Sequence, residues 1–179
     1  MKMNLGLAGL ENNQSTNKRV NSEDKKPHDT VVSIFSRYDK ENKDIEYLIL
    51  SHKKYNQLTF PIGKVKDDQS IVEAMIVENR EELGVDVENY MEVLQFQREY
   101  EVDGKEIPDK IHIFKIVKYN GTPKNVEPKK HDWIKWMTRS EIEETQRRLA
   151  VCITRYFAWL DDINAPSLTK PQVTVGQGK

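Results

Sequence analysis

A predicted helix within residues 63–85 constrains the fold more than any other part of the sequence. Residues 69–83 have helical periodicity, and Gly84 follows at the position where glycine most often ends a helix. One side of this helix carries mostly apolar residues, which we expect to pack on a core: Val72, Ile76, Asn79 and Leu83. Asn79 is the polar member of the set and is expected at the edge of the packing face.

The other side of the predicted helix is anionic. Residues three and four apart are neighbours on a helix, so three carboxylates lie together there: Glu78, Glu81 and Glu82. Their repulsion costs about 0.2–0.5 kcal/mol per pair, and a bound cation would relieve it. Magnesium takes oxygen ligands and often sits between carboxylates and substrate phosphates. The alternative is a solvated acidic face, which is common in a chain with 32% charged residues.

The remaining patterns alternate between strands and one further helix. Segments rich in β-branched and aromatic residues predict strands or short strand-loops at 30–38, 45–52, 55–65, 91–102, 107–119 and 133–137. We expect one hairpin from the first two and another from 91–102 and 107–119, joined at Asp103-Gly104. Residues 140–163 predict a long amphipathic helix with these core contacts: Ile142, Leu149, Ile153, Tyr156, Phe157 and Leu160. The order β-β-β-α-β-β-β-α predicts an α+β fold.

Length and composition indicate a single domain with polar tails. The chain has 179 residues, and we predict a folded domain at 28–163 between loose or disordered tails at 1–27 and 164–179. A formal net charge of −1 gives no signal for nucleic acid, and no apolar run is long enough to span a membrane. The lone Cys152 is expected in the core and fits a reducing compartment, so we predict a cytoplasmic protein.

The segment 63–85 resembles the Nudix box, G-x5-E-x7-R-E-U-x-E-E-x-G-U, where U is a large apolar residue. The spacing fits over all 23 positions, and six residues match: Gly63, Glu78, Glu81, Glu82, Gly84 and Val85. Three positions depart from the pattern. Gln69 stands in place of Glu, Val77 in place of Arg, and Asn79 in place of a large apolar residue.

The resemblance implies an α/β/α sandwich in which helices flank a mixed sheet. It implies hydrolysis of a pyrophosphate bond in a nucleoside diphosphate linked to another moiety, with Mg²⁺ or Mn²⁺ as cofactor. By position in the box, the expected metal ligands are Glu78, Glu81 and Glu82, and the expected catalytic residues are Glu81 and Glu82. Glu127 lies where some family members have a further acidic ligand. The alternative for Glu127 is an exposed loop glutamate.

The departures from the box affect its charge. Gln69 keeps an amide but cannot act as a base, and Val77 cannot neutralise Glu73 and Glu81 at i±4. One anion and one cation are lost together, so the local formal charge is unchanged. We therefore predict that the two replacements are linked and that a weakened metal site survives. The alternative is a weakly active or inactive Nudix-fold module that binds a nucleotide or has a regulatory role.

Basic and aromatic side chains around the box, together with the box glycine, are the expected substrate-binding groups. They are Lys53, Tyr55, Gly63, Lys64, Lys130 and Trp133. The lysines could instead be ordinary solvated residues. The expected partner is a small nucleotide-type diphosphate, while capped RNA and an oligomer are both compatible with the resemblance. His28, His52 and His112 have no zinc-ligand spacing, so zinc is not expected.

Overall fold

The computed structural model describes residues 28–102 and 105–164. In chain order the elements are β1 His28–Ile34, β2 Ser36–Asp39, β3 Asp44–His52, β4 Gln57–Thr59, β5 Ile62–Lys64, α1 Ile71–Leu83, β6 Asp86–Val102, β7 Lys105–Asn120, β8 His131–Thr138, α2 Arg139–Glu143, β9 Arg148–Leu149 and α3 Val151–Asn164. The α+β class is confirmed. The predicted tails and the Asp103-Gly104 turn lie outside the described residues, except that Asn164 ends α3.

The strands form two sheets with both parallel and antiparallel pairs. One sheet has the order β5-β1-β7-β6, and the other has the order β2-β3-β4-β9 with β8 paired to β3. Strands β1 and β7 are parallel, whereas β5 and β6 pair antiparallel to their neighbours. The predicted mixed sheet is therefore confirmed, and so is the predicted antiparallel pairing of β6 with β7.

Helices cover both faces of this arrangement because successive strand residues point to opposite sides. In β1, Val31 packs with the buried residues of α1, and Val32 packs with those of α3. Helix α1 contributes Ala74 and Met75 to the first group, and Phe157 from α3 belongs to the second. The predicted α/β/α layering is confirmed, and α1 lies against β1, β5 and β6.

The first predicted strand is wrong in one respect, since residues 30–38 do not form a single strand. The chain breaks at Phe35, so β1 joins one sheet and β2 joins the other. Only β2 forms the expected hairpin with β3. The Phe35 carbonyl accepts a hydrogen bond from the Leu48 N–H at 3.1 Å, which links the two sheets at the break. Long-range pairing of β1 with β5 and β7 therefore determines that residues 30–38 divide between two sheets.

The second predicted helix, 140–163, is also wrong, because it is interrupted by β9. Leu149 pairs in parallel with Leu58, and the Ala150 N–H donates to the Leu58 carbonyl at 2.9 Å. This pairing with the edge of β4 replaces the helical turn that the apolar pattern predicts. The predicted core contacts hold despite the break: Ile142, Ile153, Tyr156 and Phe157 are buried, and Leu149 and Leu160 are half-buried. No helix in the described ranges is long and apolar enough to span a membrane.

Specific caps set the two ends of α1. The Ser70 hydroxyl accepts the Glu73 N–H at 3.2 Å, while the Glu73 carboxylate accepts the Ser70 N–H at 2.9 Å. This capping box starts the helix at Ile71 and not at the predicted Gln69. At the other end Gly84 has φ 68°, a left-handed conformation that favours glycine, as predicted.

Asn79 is completely buried and does not lie at the edge of the packing face as predicted. Its side-chain amide donates to the Ser33 hydroxyl at 2.7 Å and to the Met75 carbonyl at 2.8 Å. The family pattern has a large apolar residue here, and Ser33 on β1 accepts one of the two hydrogen bonds that the buried Asn79 NH₂ group donates, while Asn79 Oδ1 has no partner among the described residues. The departure at Asn79 is thus matched by a polar residue on the strand beneath it.

This match predicts an energetic coupling between the two residues. Asn79→Ala should lower the free energy of unfolding by about 1–3 kcal/mol, because it leaves the buried Ser33 hydroxyl without its partner. In the Ser33→Ala background the same change should cost less, with a coupling of about 1 kcal/mol measured by urea unfolding of the four proteins. Strictly additive losses would contradict the proposed pairing.

Candidate metal and active site

Glu82 is the most deeply buried of the three box glutamates, with no exposed surface. One carboxylate oxygen, Oε2, accepts the Ile62 N–H at 3.1 Å, and the other, Oε1, lies 2.5 Å from Lys130 Nζ. The alternative of a solvated acidic face is therefore wrong for Glu82, since Glu81 is exposed, Glu78 is half-buried and Glu82 is enclosed. Helical periodicity gives the direction of Glu82 but not the segments that cover it.

The loop after β7 covers Glu82 because it is hydrogen-bonded to the C-terminal end of α1. The Lys124 N–H donates to the Leu83 carbonyl at 3.0 Å, and the Val126 N–H donates to the Glu82 carbonyl at 3.1 Å. These carbonyls belong to the last turn of the helix, where no intrahelical donor is available. The helix end therefore fixes the loop that carries Glu127 and Lys130.

Glu127 lies beside Glu82, as the prediction of a further acidic ligand requires. Lys130 Nζ bridges the two carboxylates, at 2.5 Å from Glu82 Oε1 and 3.1 Å from Glu127 Oε2. Ligand atoms of Glu82, Glu127 and His131 all lie within 4.8 Å of one another. The structure thus brings together a carboxylate pair, an imidazole and an ammonium group.

Gly63 is required by the space that Glu78 occupies. A Cβ atom built at position 63 would lie 2.0 Å from both Cγ and Cδ of Glu78. Such an approach is far inside van der Waals contact, so any side chain at position 63 would displace the Glu78 carboxylate. Two residues of the box at opposite ends of the segment are therefore coupled by direct packing.

The enclosure of this cluster alters its ionisation. Burial raises the pKa of Glu82 to about 7, with Lys130 opposing the rise, and burial also raises the pKa of Glu78. For Lys130, burial opposes the charged form, but the charge and hydrogen bond of Glu82 prevail and raise its pKa. Burial and Lys130 lower the pKa of His131 to about 4. At neutral pH Lys130 is therefore charged, His131 is neutral, and Glu82 is near the midpoint of its titration.

Two of the predicted substrate-binding residues, Lys53 and Tyr55, lie in the turn after β3. Lys53 donates from Nζ to the Pro128 carbonyl at 2.6 Å and from its backbone to the Lys130 carbonyl at 3.0 Å. Tyr55 is exposed, and its ring centroid lies 4.7 Å from that of His52. The turn is therefore attached to the loop that carries Lys130.

Lys64 and Trp133 have different surroundings. Lys64 is exposed on β5, next to Gly63. Trp133 on β8 is half-buried, and its ring lies 4.9 Å from Lys135 Nζ and 5.8 Å from the Arg147 guanidinium. Trp133 also packs against the core cluster that includes Phe157, so its described contacts are with the core and these two cations.

The sequence places His131 among basic side chains near the box but predicts no metal-ligand role for it, and it predicts no contact for the Ile62 N–H. The histidine has no spacing to the other histidines or to Cys152 that is typical of a metal site. The available signal is the Glu127-x3-His131 spacing, which forms a tight turn in which the His131 N–H donates to the Glu127 carbonyl at 3.0 Å. No sequence signal identifies the Ile62 amide, because its role depends on how β5 packs against α1.

Family comparison identifies the domain. A protein-family model described as "NUDIX domain" matches residues 27–160, which is most of the chain. The chain belongs to the Nudix family. This confirms the family predicted from the box and, with it, the predicted enzyme class, a Nudix-type pyrophosphohydrolase. The activity of that class is hydrolysis of pyrophosphate bonds in nucleotide-linked compounds. No curated protein matches the chain significantly.

Solved structures of similar fold agree with this assignment. The solution structure of the E. coli ORF135 protein has a TM-score of 0.61 at 25% identity, over 82% of this chain and 98% of that one. A MutT NUDIX hydrolase from Burkholderia pseudomallei has a TM-score of 0.63 at 16% identity, over 76% and 99%. An Ap4A hydrolase from C. elegans has a TM-score of 0.54 at 17% identity, over 76% and 96%.

The packing of Gly63 on Glu78 can be tested by paired substitutions. Gly63→Ala should lower the free energy of unfolding by about 1–3 kcal/mol, because the new methyl group overlaps the Glu78 side chain. In a Glu78→Ala background the same change should cost much less, since the overlapping atoms are gone. Thermal unfolding of the four proteins measures both effects. An equal cost in the two backgrounds would contradict the contact.

Proposed function

We propose that this Nudix protein hydrolyses a pyrophosphate bond in a nucleoside diphosphate linked to another moiety, or in a dinucleoside polyphosphate, with Mg²⁺ or Mn²⁺ as cofactor. The observation that carries the proposal is the enclosed Glu82 carboxylate, which already holds a cationic group against Glu127. An enclosed carboxylate such as Glu82, with the half-buried Glu127 carboxylate beside it, requires positive charge. The same requirement makes the position between these two carboxylates a cation site.

The donor set fits the proposed ions. Four carboxylates from α1 and the loop after β7 would hold the metal: Glu78, Glu81, Glu82 and Glu127. Carboxylate oxygens are the ligands that Mg²⁺ prefers. When bound, the ion would neutralise phosphate charge and lower the pKa of a coordinated water. Glu82 and Glu127 support this assignment directly, because their oxygens share one cation, and Glu78 is held beside them over Gly63.

The protein's own groups have distinct roles in the proposed reaction. Glu82 is the first proposed catalytic carboxylate, and its two oxygens are oriented by the Ile62 N–H and by Lys130. Glu81 is the second proposed catalytic carboxylate, and its exposed position favours an approach from solvent. Lys130 and Lys53 carry the positive charge that polyphosphate oxygens need, and Lys130 is one-third exposed, with a side-chain accessibility of 33%.

The proposed substrate is a small nucleotide-type molecule. The fold resembles that of an Ap4A hydrolase, which makes dinucleoside polyphosphates the first compounds to test. Tyr55, exposed on the turn that Lys53 attaches to the loop, offers an aromatic face for a base. To stack on a base, Trp133 would need to exchange its cation contacts for the base. Lys64, next to Gly63, would lie where a substrate approaches the box glycine. The cytoplasmic location stays a prediction.

Gln69, which replaces a family glutamate, has a structural role that supports a surviving site. Its side-chain oxygen accepts the Lys66 N–H at 3.3 Å, and its own N–H donates to the Lys66 carbonyl at 3.0 Å. These bonds hold the loop between β5 and α1 without a carboxylate. Val77 is half-buried, so the loss of the family arginine leaves a packed side chain. The predicted linkage of the two replacements remains part of the proposal.

The enzyme proposal predicts the effect of removing single charges. Glu82→Gln and Glu81→Gln should each lower kcat, with a loss of about 10²–10⁴-fold for the residue that acts as general base. The assay is phosphate release from a panel of nucleoside diphosphate derivatives and dinucleoside polyphosphates in the presence of Mg²⁺. Removal of the metal with EDTA should abolish turnover in every case.

Glu99→Gln, which removes an exposed carboxylate on β6, is the matched control and should leave kcat unchanged. The alternative of a binding module predicts a different result. Ligands would then raise the melting temperature of the native chain without any turnover, since binding to the folded state alone stabilises it. That outcome across the whole panel would contradict the proposed enzyme.

A further inference from the structure

His131 is a buried imidazole whose ring nitrogens are unpaired. The residue has no exposed surface, and neither Nδ1 nor Nε2 has a hydrogen-bond partner within residues 28–102 and 105–164. Its Nε2 lies 3.8 Å from Glu82 Oε1, which is too far for a hydrogen bond. A buried polar group without a partner is costly and uncommon, so the position of this ring calls for a ligand that the protein alone does not supply.

The neighbours of His131 complete a mixed donor set. One ligand atom each from Glu82, Glu127 and His131 lies within 4.8 Å of the other two. Donor atoms on a single ion with bonds of about 2.0–2.1 Å are separated by roughly 3.0–3.4 Å, so small side-chain movements would close the set. Two carboxylates and an imidazole suit first-row transition metals, whereas Mg²⁺ favours oxygen donors alone.

A cationic group already occupies this position. Lys130 Nζ contacts Glu82 Oε1 at 2.5 Å and Glu127 Oε2 at 3.1 Å, the two carboxylates of the same set. The Lys130 side chain is one-third exposed, so its flexible stem can carry the ammonium out to solvent. A divalent ion that replaced it would supply more positive charge and would also give the imidazole a partner.

We propose that Glu82, Glu127 and His131 bind a transition-metal ion such as Zn²⁺ or Co²⁺, with Lys130 as the resident cation of the metal-free site. The inference rests in part on the proposed function, because Glu82 and Glu127 are also proposed ligands for Mg²⁺. It adds a nitrogen ligand, and therefore a preference among ions that the box carboxylates alone would not give. Neither the site nor its preference requires turnover.

The test follows the ring nitrogens of the four histidines. The full chain, labelled with ¹⁵N-histidine and free of substrate, is titrated with ZnCl₂ and separately with MgCl₂. The His131 resonances are those missing from the His131→Gln spectrum. Zinc should give one of them the large shift of a metal-bound ring nitrogen, at one ion per chain. Magnesium, bound through carboxylates alone, should not produce that shift. Unchanged His131 nitrogens at saturating zinc would overturn the proposal.

His52→Gln is the matched control. The native His52 ring centroid lies 5.5 Å from that of His131, but the His52 nitrogens are outside the donor set. Zinc affinity measured by calorimetry should be retained in His52→Gln and should fall at least about tenfold in His131→Gln, because a neutral amide oxygen is a poorer zinc ligand than imidazole. The reverse pattern would contradict the assignment of the ligand.

Lys130→Met provides a measurement that does not depend on the folding of His131→Gln. Removal of the competing ammonium should raise zinc affinity by about tenfold or more, since like charges at this distance repel strongly. An unchanged or weaker affinity would show that Lys130 does not compete for the site.

The two proposals can fail separately. If the native chain binds no zinc but hydrolyses its substrate with Mg²⁺, this inference alone is overturned. Zinc binding without any turnover would overturn the proposed function alone.

Discussion

The ion pair between the enclosed Glu82 carboxylate and Lys130 is the interaction on which the rest of this site depends. A carboxylate with no exposed surface is costly unless it is paired and hydrogen-bonded. Glu82 meets this condition through Lys130 on one oxygen and the Ile62 N–H on the other. One partner lies on β5, the element before α1, and the other lies in the loop after β7, so the pairing holds both segments against one helix face.

The backbone supports the same arrangement. The last carbonyls of α1 accept hydrogen bonds from the N–H groups of Lys124 and Val126. These backbone bonds hold the loop after β7 in place independently of the side chains of the cluster. On β5, the absence of a side chain at Gly63 lets Glu78 lie directly against the strand. The Nudix box therefore works as a packing unit as well as a set of ligands, and its glycine and glutamates depend on one another.

Local patterns account for the parts of this structure that local interactions determine. The strands, the α1 helix with its Gly84 cap, and the box spacing all follow from periodicity and from residues with special conformations. The errors arise where distant segments decide. Residues 30–38 divide at Phe35 because β1 pairs with β5 and β7, and the helical pattern of 140–163 is interrupted because Leu149 pairs with Leu58. The burial of Glu82 and the position of His131 depend on one covering loop, which a helical projection cannot show.

The central claim is that the position now held by the Lys130 ammonium is a metal site of the Nudix box. A crystal structure of the chain grown with MnCl₂, with anomalous differences collected near the manganese edge, tests this most directly. The account predicts an anomalous peak on the Glu82 carboxylate, close to Glu78, with Lys130 withdrawn from Glu82. An intact Lys130–Glu82 pair with no anomalous peak on α1 at saturating Mn²⁺ would contradict it.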